Sequence, residues 1–313
     1  PDIVHLHWIN NGMIGINQLA KINFPLIWSL HDMWPFSGSE HYTINDRYVT
    51  GYKSTNRPVA EKGFDINRLT WNKKKKYYPK IKNLTINGLS KWLANCSSDS
   101  LLFKDLNIVN IPNLINEKKF KPLNQKECRK IYNLPQNKKL VCFGADNYSG
   151  SPRKGFIQLL DALKKINSLN VDFIVFGRTD YNLEKVLPFK VRFVGQKEDD
   201  ESLCVLYNAV DVIVIPSLQE NLSNIMLESL SCGTPVVSFN IGGNSDMIGH
   251  KINGYLARPF ESEDLKNGIE WVLKNDFYDQ LCENARKKVL KEFDSIVVAK
   301  KYIDLYKKIL GFN

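Results

Sequence analysis

The stretch Val212-Ile213-Val214-Ile215, entered from Asp211, is apolar and β-branched at every position, with no polar alternation. Such a run fits a strand covered on both faces, as in the middle of a parallel sheet. Pro216 and Ser217 stop it, and Glu220 falls in the turn. From Asn221 to Ser231 the apolar residues Leu222, Ile225, Met226 and Leu230 recur at helical spacing. Cys232-Gly233-Thr234-Pro235 then supplies the Gly-before-Pro ending of a helix, and Pro235-Val236-Val237 opens another strand. The stretch therefore reads as a strand-helix-strand unit. Glu220 stands just past the carboxyl end of a strand, where open α/β sheets bind ligands. Glu228 lies eight residues on, inside the helix.

The same alternation runs through the chain. In residues 1–112, Asp2–Leu6 is strand-like, Ile14–Lys21 helical and Pro25–Leu30 a second strand, which places His31 and Asp32 at a strand's carboxyl end. Residues 83–103 read as a strand, then Ser90 as a helix N-cap, then a helix with Trp92, Leu93, Leu101 and Leu102. Asn107–Pro112 is a further short strand. A polar, Lys-rich tract over 113–138 reads as a linker. The second half opens with strand Leu140–Gly144, a polar loop from Ala145 to Gly155, and a helix over Phe156–Ile166. Arg153 and Lys154 then sit at a helix N-terminus, where backbone N–H groups and the helix dipole already favour an anion. This loop carries neither GxGxxG nor GxxxxGK[ST], so it holds no dinucleotide fingerprint and no P-loop. Val171–Gly177 and Val191–Gly195 are buried strands, Glu201–Asn208 is a short helix, and residues 263–274, 276–291 and 295–310 are helix-like.

The combination of buried strand, Pro-Ser, Glu220, seven residues, Glu228 and Cys-Gly-Thr-Pro-Val-Val resembles the E-x7-E signature of retaining glycosyltransferases of the GT-B fold, in particular family 4. The string His31-Asp32-Met33-Trp34-Pro35-Phe36-Ser37-Gly38 is similar to a segment in the N-terminal domain of capsule and O-antigen members. Pro112-Asn113-Leu114-Ile115-Asn116 is similar to the family's interdomain linker, with Leu114 in place of Gly and Asn116 in place of Asp. His250 to Leu256 resembles its Asn-Gly-x-Leu hairpin, and Gly242-Gly243 its Gly-Gly turn, with Asp246 where Glu is common.

The resemblance implies two Rossmann-like domains facing a cleft, the first of them partial here. The implied division is 1–112 on the acceptor side, linker 113–138, nucleotide-sugar domain 139–294, and a helix over 295–313 crossing back. It implies that Glu220 faces the transferred sugar and that Glu228 hydrogen-bonds the ribose. Arg153 and Lys154 would hold the diphosphate, aided by N–H groups of Asn221, Leu222 and Ser223. Gly195 and Gln196 would contact the base, largely through backbone atoms. His31 would be catalytic on the sugar or acceptor side, with Asp32 and Trp34 nearby; spacing assigns no role to His5, His7 or His41. Relatives have an Arg directly after the first Gly, where this chain has Ala145, so the grip on phosphate falls more heavily on Arg153 and Lys154. No D-x-D occurs anywhere in the sequence, and a cationic clamp of this kind works without a metal or other cofactor. The expected activity is transfer from a UDP- or GDP-linked sugar to a glycan or lipid-linked acceptor, in surface polysaccharide assembly. The rival readings are a module that binds a nucleotide sugar without transfer, and another GT-B activity such as a sugar phosphorylase.

At 313 residues the chain is long enough for two cores. It opens on a strand already under way, so a preceding segment is expected. No apolar run approaches the roughly 20 residues of a membrane span, and no signal-peptide pattern is present. The six cysteines show no metal or CxxC spacing and read as small buried side chains in a reducing cytoplasm. Of a formal charge of +10, residues 51–82 concentrate ten Lys or Arg against Glu61 and Asp65. That stretch is read either as a solvated face or as a surface attracted to anionic lipid at the inner face of the plasma membrane. No recognised nucleic-acid module accompanies it, which sets nucleic-acid binding aside.

Overall fold

Short strands build two parallel sheets, one in each of two compact units. The computed structural model describes residues 1–10, 12–145, 152–166, 170–177, 181–197 and 199–312. The units are Pro1–Asn113 with Ala299–Asn313, and Leu114–Val298.

In the first unit, strands β1 (Val4–Leu6), β2 (Leu26–Leu30), β3 (Leu84–Gly88) and β4 (Asn107–Asn110) pair in that order, all parallel. Its helices are α1 (Ile16–Leu19), α2 (Arg47–Thr50), α3 (Ile66–Tyr77) and α4 (Lys91–Asp99). β1, α1 and β2 are shorter than the apolar pattern suggested. Ser90 caps α4 as expected, its hydroxyl accepting the Leu93 N–H at 3.1 Å. The core gathers Leu26, Trp28, Leu30, Ile86, Leu93 and Phe103.

The cationic run Lys73–Lys76 is divided by the period of α3. Lys73, Lys75 and Lys76 are exposed, whereas Lys74 turns inward with Trp71 and Tyr78. Its ammonium donates to the carbonyls of Trp34, Ser37 (3.1 Å) and Gly38 (2.6 Å) and lies 3.9 Å from the centre of the Trp34 ring. One lysine of the run is therefore an internal tie and adds nothing to the surface. The two acids of residues 51–82 are also engaged: the buried Arg47 donates to Glu61 at 3.2 Å and to Asp65 at 3.1 Å.

The second unit has six parallel strands: β5 (Lys139–Ala145), β6 (Val171–Gly177), β7 (Val191–Gly195), β8 (Val212–Ile215), β9 (Val236–Phe239) and β10 (Gly254–Ala257). They lie in the order β10-β9-β8-β5-β6-β7. Helices α5 (Gln125–Ile131), α6 (Phe156–Lys164), α7 (Asp200–Ala209), α8 (Asn224–Ser231), α9 (Asn244–Met247), α10 (Ser262–Leu273) and α11 (Tyr278–Glu292) accompany them. Alternate strand residues feed two separate cores. Leu140, Cys142, Ile174, Phe176, Ile213 and Ile215 enter one, and Val141, Phe143, Phe173, Val175, Val212 and Val214 the other. This two-sided burial is why β8 shows no polar alternation.

Part of the Lys-rich tract folds as α5. Arg129 on that helix reaches Asp211 at 2.8 Å, and the same carboxylate oxygen accepts the Leu140 N–H at 2.6 Å. Residues 251–253 form a turn leading into β10, which pairs parallel to β9, so the segment resembling a hairpin is an edge strand of the main sheet. The last helix, α12 (Ser295–Leu310), has its residues from Ala299 onward in the first unit. There Tyr302 and Tyr306 reach Asn87 and His5, at 2.9 and 2.7 Å.

Replacing Lys74 by Met removes the one ammonium shared by three carbonyls. A hydrogen bond to a charged group is worth about 1.5–3 kcal/mol, so the variant is expected to lose at least that in unfolding free energy. Urea melts measure it; an unchanged midpoint would rule out the internal tie.

Candidate active site

In the second unit the strand order reverses between β5 and β8, and the crevice at such a switch point is where open α/β sheets place ligands. Two chain segments meet there. After β8 the chain runs Pro216 to Ser223 as loop; ahead of α6 stands the turn Pro152–Lys154. They are stitched by main-chain contacts: the Leu218 N–H donates to the Arg153 carbonyl at 2.7 Å, and the Arg153 guanidinium donates to the Gln219 carbonyl at 2.8 Å. Gly155 makes this approach possible. Its φ is +67°, and a Cβ there would lie 1.8 Å from the Pro216 carbonyl oxygen.

Glu220 is buried at this junction. Its Oε2 is 3.2 Å from the Lys154 ammonium, 3.8 Å from Arg153 and 3.3 Å from the Ser217 hydroxyl, while its Oε1 accepts the Asn221 N–H at 3.3 Å. A third segment holds its main chain: Gly243 donates its N–H to the Glu220 carbonyl at 3.2 Å. Gly242, at φ +50°, comes so close that a Cβ would lie 1.9 Å from that oxygen. Arg153, Lys154 and Glu220 are thus brought together by loops following three different strands. The remainder of the anticipated phosphate loop, residues 146–151, lies outside the described residues.

The helix after Glu220 begins later than its apolar spacing suggests. Asn221 and Leu222 are buried loop residues, and Ser223 is the N-cap, accepting the Met226 N–H at 3.4 Å. The hydroxyl cap wins over the continuation of the 3.6-residue pattern, because an N-cap residue must itself leave helical geometry. Asn221 and Leu222 therefore do not present helix N-terminal N–H groups.

Glu228 lies within α8, where its Oε2 accepts the Tyr207 hydroxyl at 2.8 Å. Burial pushes its carboxyl above the usual range, and the tyrosine bond opposes that shift. It lines a cavity of about 230 Å³ with Phe176, Gly177, Gln196, Tyr207 and Ile225. Gln196 and Glu228 thus share one cavity. Gly195, at the end of β7, has φ +72° and open space where a side chain would be. Tyr207 and Phe176 were not anticipated: both look like ordinary core residues of α7 and β6.

In the first unit a separate polar cluster caps β1 and β2. His5 on β1 and His7, one residue past the end of that strand, stack with ring centroids 4.5 Å apart. His7 Nδ1 is 3.2 Å from His31 Nε2, and His5 bonds both Ser29 at 2.8 Å and Tyr306 at 2.7 Å. Asp32 is a hub: it accepts from the Trp8 indole at 3.2 Å and the Trp34 N–H at 2.9 Å, and pairs with His41 at 2.6 Å. So His31, Asp32 and Trp34 do gather, joined by His5, His7, Trp8 and His41. Burial lowers His7 and His31, with His7 adding to the shift at His31 and Asp32 opposing it. Burial, then the neighbouring His7, brings His5 down to about 4. Near neutrality these rings are uncharged donors and acceptors.

The family described as "Glycosyl transferases group 1" matches residues 124–288. Over 164 residues the chain is 32% identical to an uncharacterised glycosyltransferase of Methanocaldococcus jannaschii, a match covering 50% of this chain and 42% of that protein. It is 27% identical over 214 residues to the UDP-Gal:alpha-D-GlcNAc-diphosphoundecaprenol alpha-1,3-galactosyltransferase of Escherichia coli, covering 63% and 53%. The chain spans about half the length of the curated relatives it matches. Among solved structures, sucrose-phosphate synthase from Thermosynechococcus elongatus superposes with a TM-score of 0.76, at 23% identity, over 99% of this chain and 74% of its own. That likeness shows the fold: two Rossmann-like α/β units of the GT-B class.

The His5 shift carries a pH dependence. Its ordinary value is 6.5 and its folded value about 4, so between those values the unfolded chain binds more protons. The contribution is present above pH 6.5 and is lost as pH falls toward 4. Urea midpoints should decline over that window in the wild type and less steeply in His5→Gln; equal slopes would remove His5 as a source.

Proposed function

The chain belongs to the group 1 glycosyl transferases, and on that premise we propose that it is a retaining enzyme of family 4. In this reading it moves a sugar from a UDP- or GDP-linked donor to a glycan or lipid-linked acceptor. The observation that carries the reading is the clustering of Arg153, Lys154 and Glu220 at the switch point of the second unit. The diphosphate lies against Arg153 and Lys154, the ribose hydroxyls bond Glu228, and the base lies by Gly195 and Gln196. Asn221, Leu222 and Ser223 contact the donor as loop and cap residues.

A sugar leaving a nucleoside diphosphate develops positive charge at its ring and negative charge on the departing phosphate. A guanidinium and an ammonium already held in place stabilise that phosphate without reorganising, so the proposed reaction uses no metal. Glu220 sits beside the same cations and faces the transferred sugar. His31 acts on the sugar or acceptor side, with Asp32 and Trp34 shaping its surroundings. The galactosyltransferase relative, whose name gives a UDP-linked donor and a lipid diphosphate acceptor, supports a lipid-linked acceptor, and we extend the reading to surface polysaccharide assembly in the cytoplasm.

No helix among the described residues is long and apolar enough to cross a membrane. We place peripheral contact with anionic lipid on residues 51–82, through Lys73, Lys75, Lys76, Lys80 and Lys82, which are exposed; Lys74 takes no part. Vesicles containing phosphatidylglycerol should retain the protein better than neutral vesicles at low salt. Equal retention would exclude the contact.

Thermal-shift measurements with UDP, GDP, ADP and CMP test the donor site. One nucleotide is expected to stabilise the wild type, since a ligand at 100 times its Kd adds about 2.7 kcal/mol. Glu228→Ala should weaken that binding by about 1.5–3 kcal/mol, and Glu220→Ala should act mainly on turnover in a product assay. No shift with any nucleotide would favour a module without transferase activity, and full turnover in Glu220→Ala would exclude its role.

A further inference from the structure

We propose that Cys204 and Cys232 are a peroxide-responsive thiol pair that closes to a disulfide bridging α7 and α8. Their Sγ atoms are 3.8 Å apart. Cys204 belongs to α7, and Cys232 is the C-cap of α8. Both residues are buried, and each lines a cavity. Cys204 helps to wall a cavity of about 740 Å³ beside Lys119, Lys121 and Asp199, and Cys232 lines another of about 440 Å³ beside Thr234 and Arg286. These two cavities are the route by which a molecule the size of hydrogen peroxide would reach the pair.

The surroundings divide the roles. The Cys232 thiol donates toward Cys204 Sγ, and the Asn208 amide donates to the same sulfur at 3.6 Å. The bond from Cys232, with help from Lys121 and Asn208 and against burial, pulls Cys204 down to about 6. Burial pushes Cys232 up, so it keeps its proton. A thiolate next to a protonated thiol is the arrangement of an attacking and a resolving cysteine. Burial pushes Cys142 up, and burial likewise pushes Cys282 up to about 11.

The reaction balances with a hydroperoxide as oxidant. The Cys204 thiolate attacks the peroxide oxygen, the O–O bond breaks, and a sulfenic acid and hydroxide form. Cys232 then attacks the sulfenic sulfur, its proton and the departing hydroxyl leave as water, and the S–S bond forms. In sum, two thiols and one hydrogen peroxide give one disulfide and two waters. A disulfide is about 2.05 Å long, so the sulfurs close by just under 2 Å. That movement bears on the nucleotide cavity. Glu228 lies one turn before Cys232, joined to it by a main-chain bond of 3.0 Å, and Tyr207 lies one turn after Cys204. This consequence for ligand binding rests on the ribose role given to Glu228; the bridge itself does not.

The test exposes the full chain to hydrogen peroxide, alkylates the remaining thiols and maps peptides by mass. A Cys204–Cys232 disulfide reversed by dithiothreitol is expected in the wild type, a dimedone-trapped sulfenic acid at Cys204 in Cys232→Ser, and neither product in Cys204→Ser. A wild type whose Cys204 and Cys232 are oxidised no faster than Cys142 and Cys282 overturns the pair. Nucleotide-induced thermal shift, measured before and after oxidation, should fall at least threefold in apparent affinity and return on reduction. A bridge with unchanged affinity overturns the link to Glu228, whereas a reduced protein that binds no nucleotide overturns the ribose role alone.

Discussion

The second unit depends on a close backbone approach: the turn before α6 lies directly on the loop after β8. Parallel strands bring successive loops to one edge of a sheet, but they do not make those loops touch. Here contact requires a residue without a side chain, Gly155, opposite the Pro216 carbonyl, and another, Gly242, opposite the Glu220 carbonyl. With both in place, three loops share hydrogen bonds, and Glu220 is buried between two cations it did not have to recruit from flexible positions. A buried carboxylate without such partners would carry a desolvation cost of several kcal/mol. The arrangement of charge is thus a consequence of how closely the backbone can pack.

The two units solve the problem of polar groups at strand ends differently. In the second unit, opposite charges are matched: Arg129 with Asp211, Lys138 and Arg192 with Asp172, and Lys154 with Glu220. In the first, neutral imidazoles, tyrosine hydroxyls and an asparagine amide share hydrogen bonds around Ser29 and Asn87. A cationic junction suits phosphate. A neutral network suits hydroxyl groups, whose donors and acceptors it can match in either direction.

Much of this architecture was legible in the sequence because burial on both sheet faces leaves an unmistakable run of apolar residues. Val171–Gly177 and Val191–Gly195 have the expected ends. Glu220, Arg153 and Lys154 were legible because each stands beside a strand end or a helix start. Other features were not. Leu222 fits helical spacing but belongs to a loop, since Ser223 takes the cap. The bonds from His5 to Tyr306 and from Tyr207 to Glu228 join residues whose relation exists only after folding. Nothing in four consecutive lysines says which one is inside.

That last point bears on which length changes the chain tolerates. The lysine run looks like low-complexity sequence, in which a residue gained or lost would go unnoticed. A single deletion within it would still leave a lysine at the buried position. A deletion anywhere between Asp65 and Trp71 would instead turn the helix by about 100° relative to its cap. Asn72 would then take the buried place of Trp71, while the place of Lys74 would still hold a lysine. The segment therefore reads as a ruler as much as a charge: composition is redundant within the run, and phase relative to the cap is not.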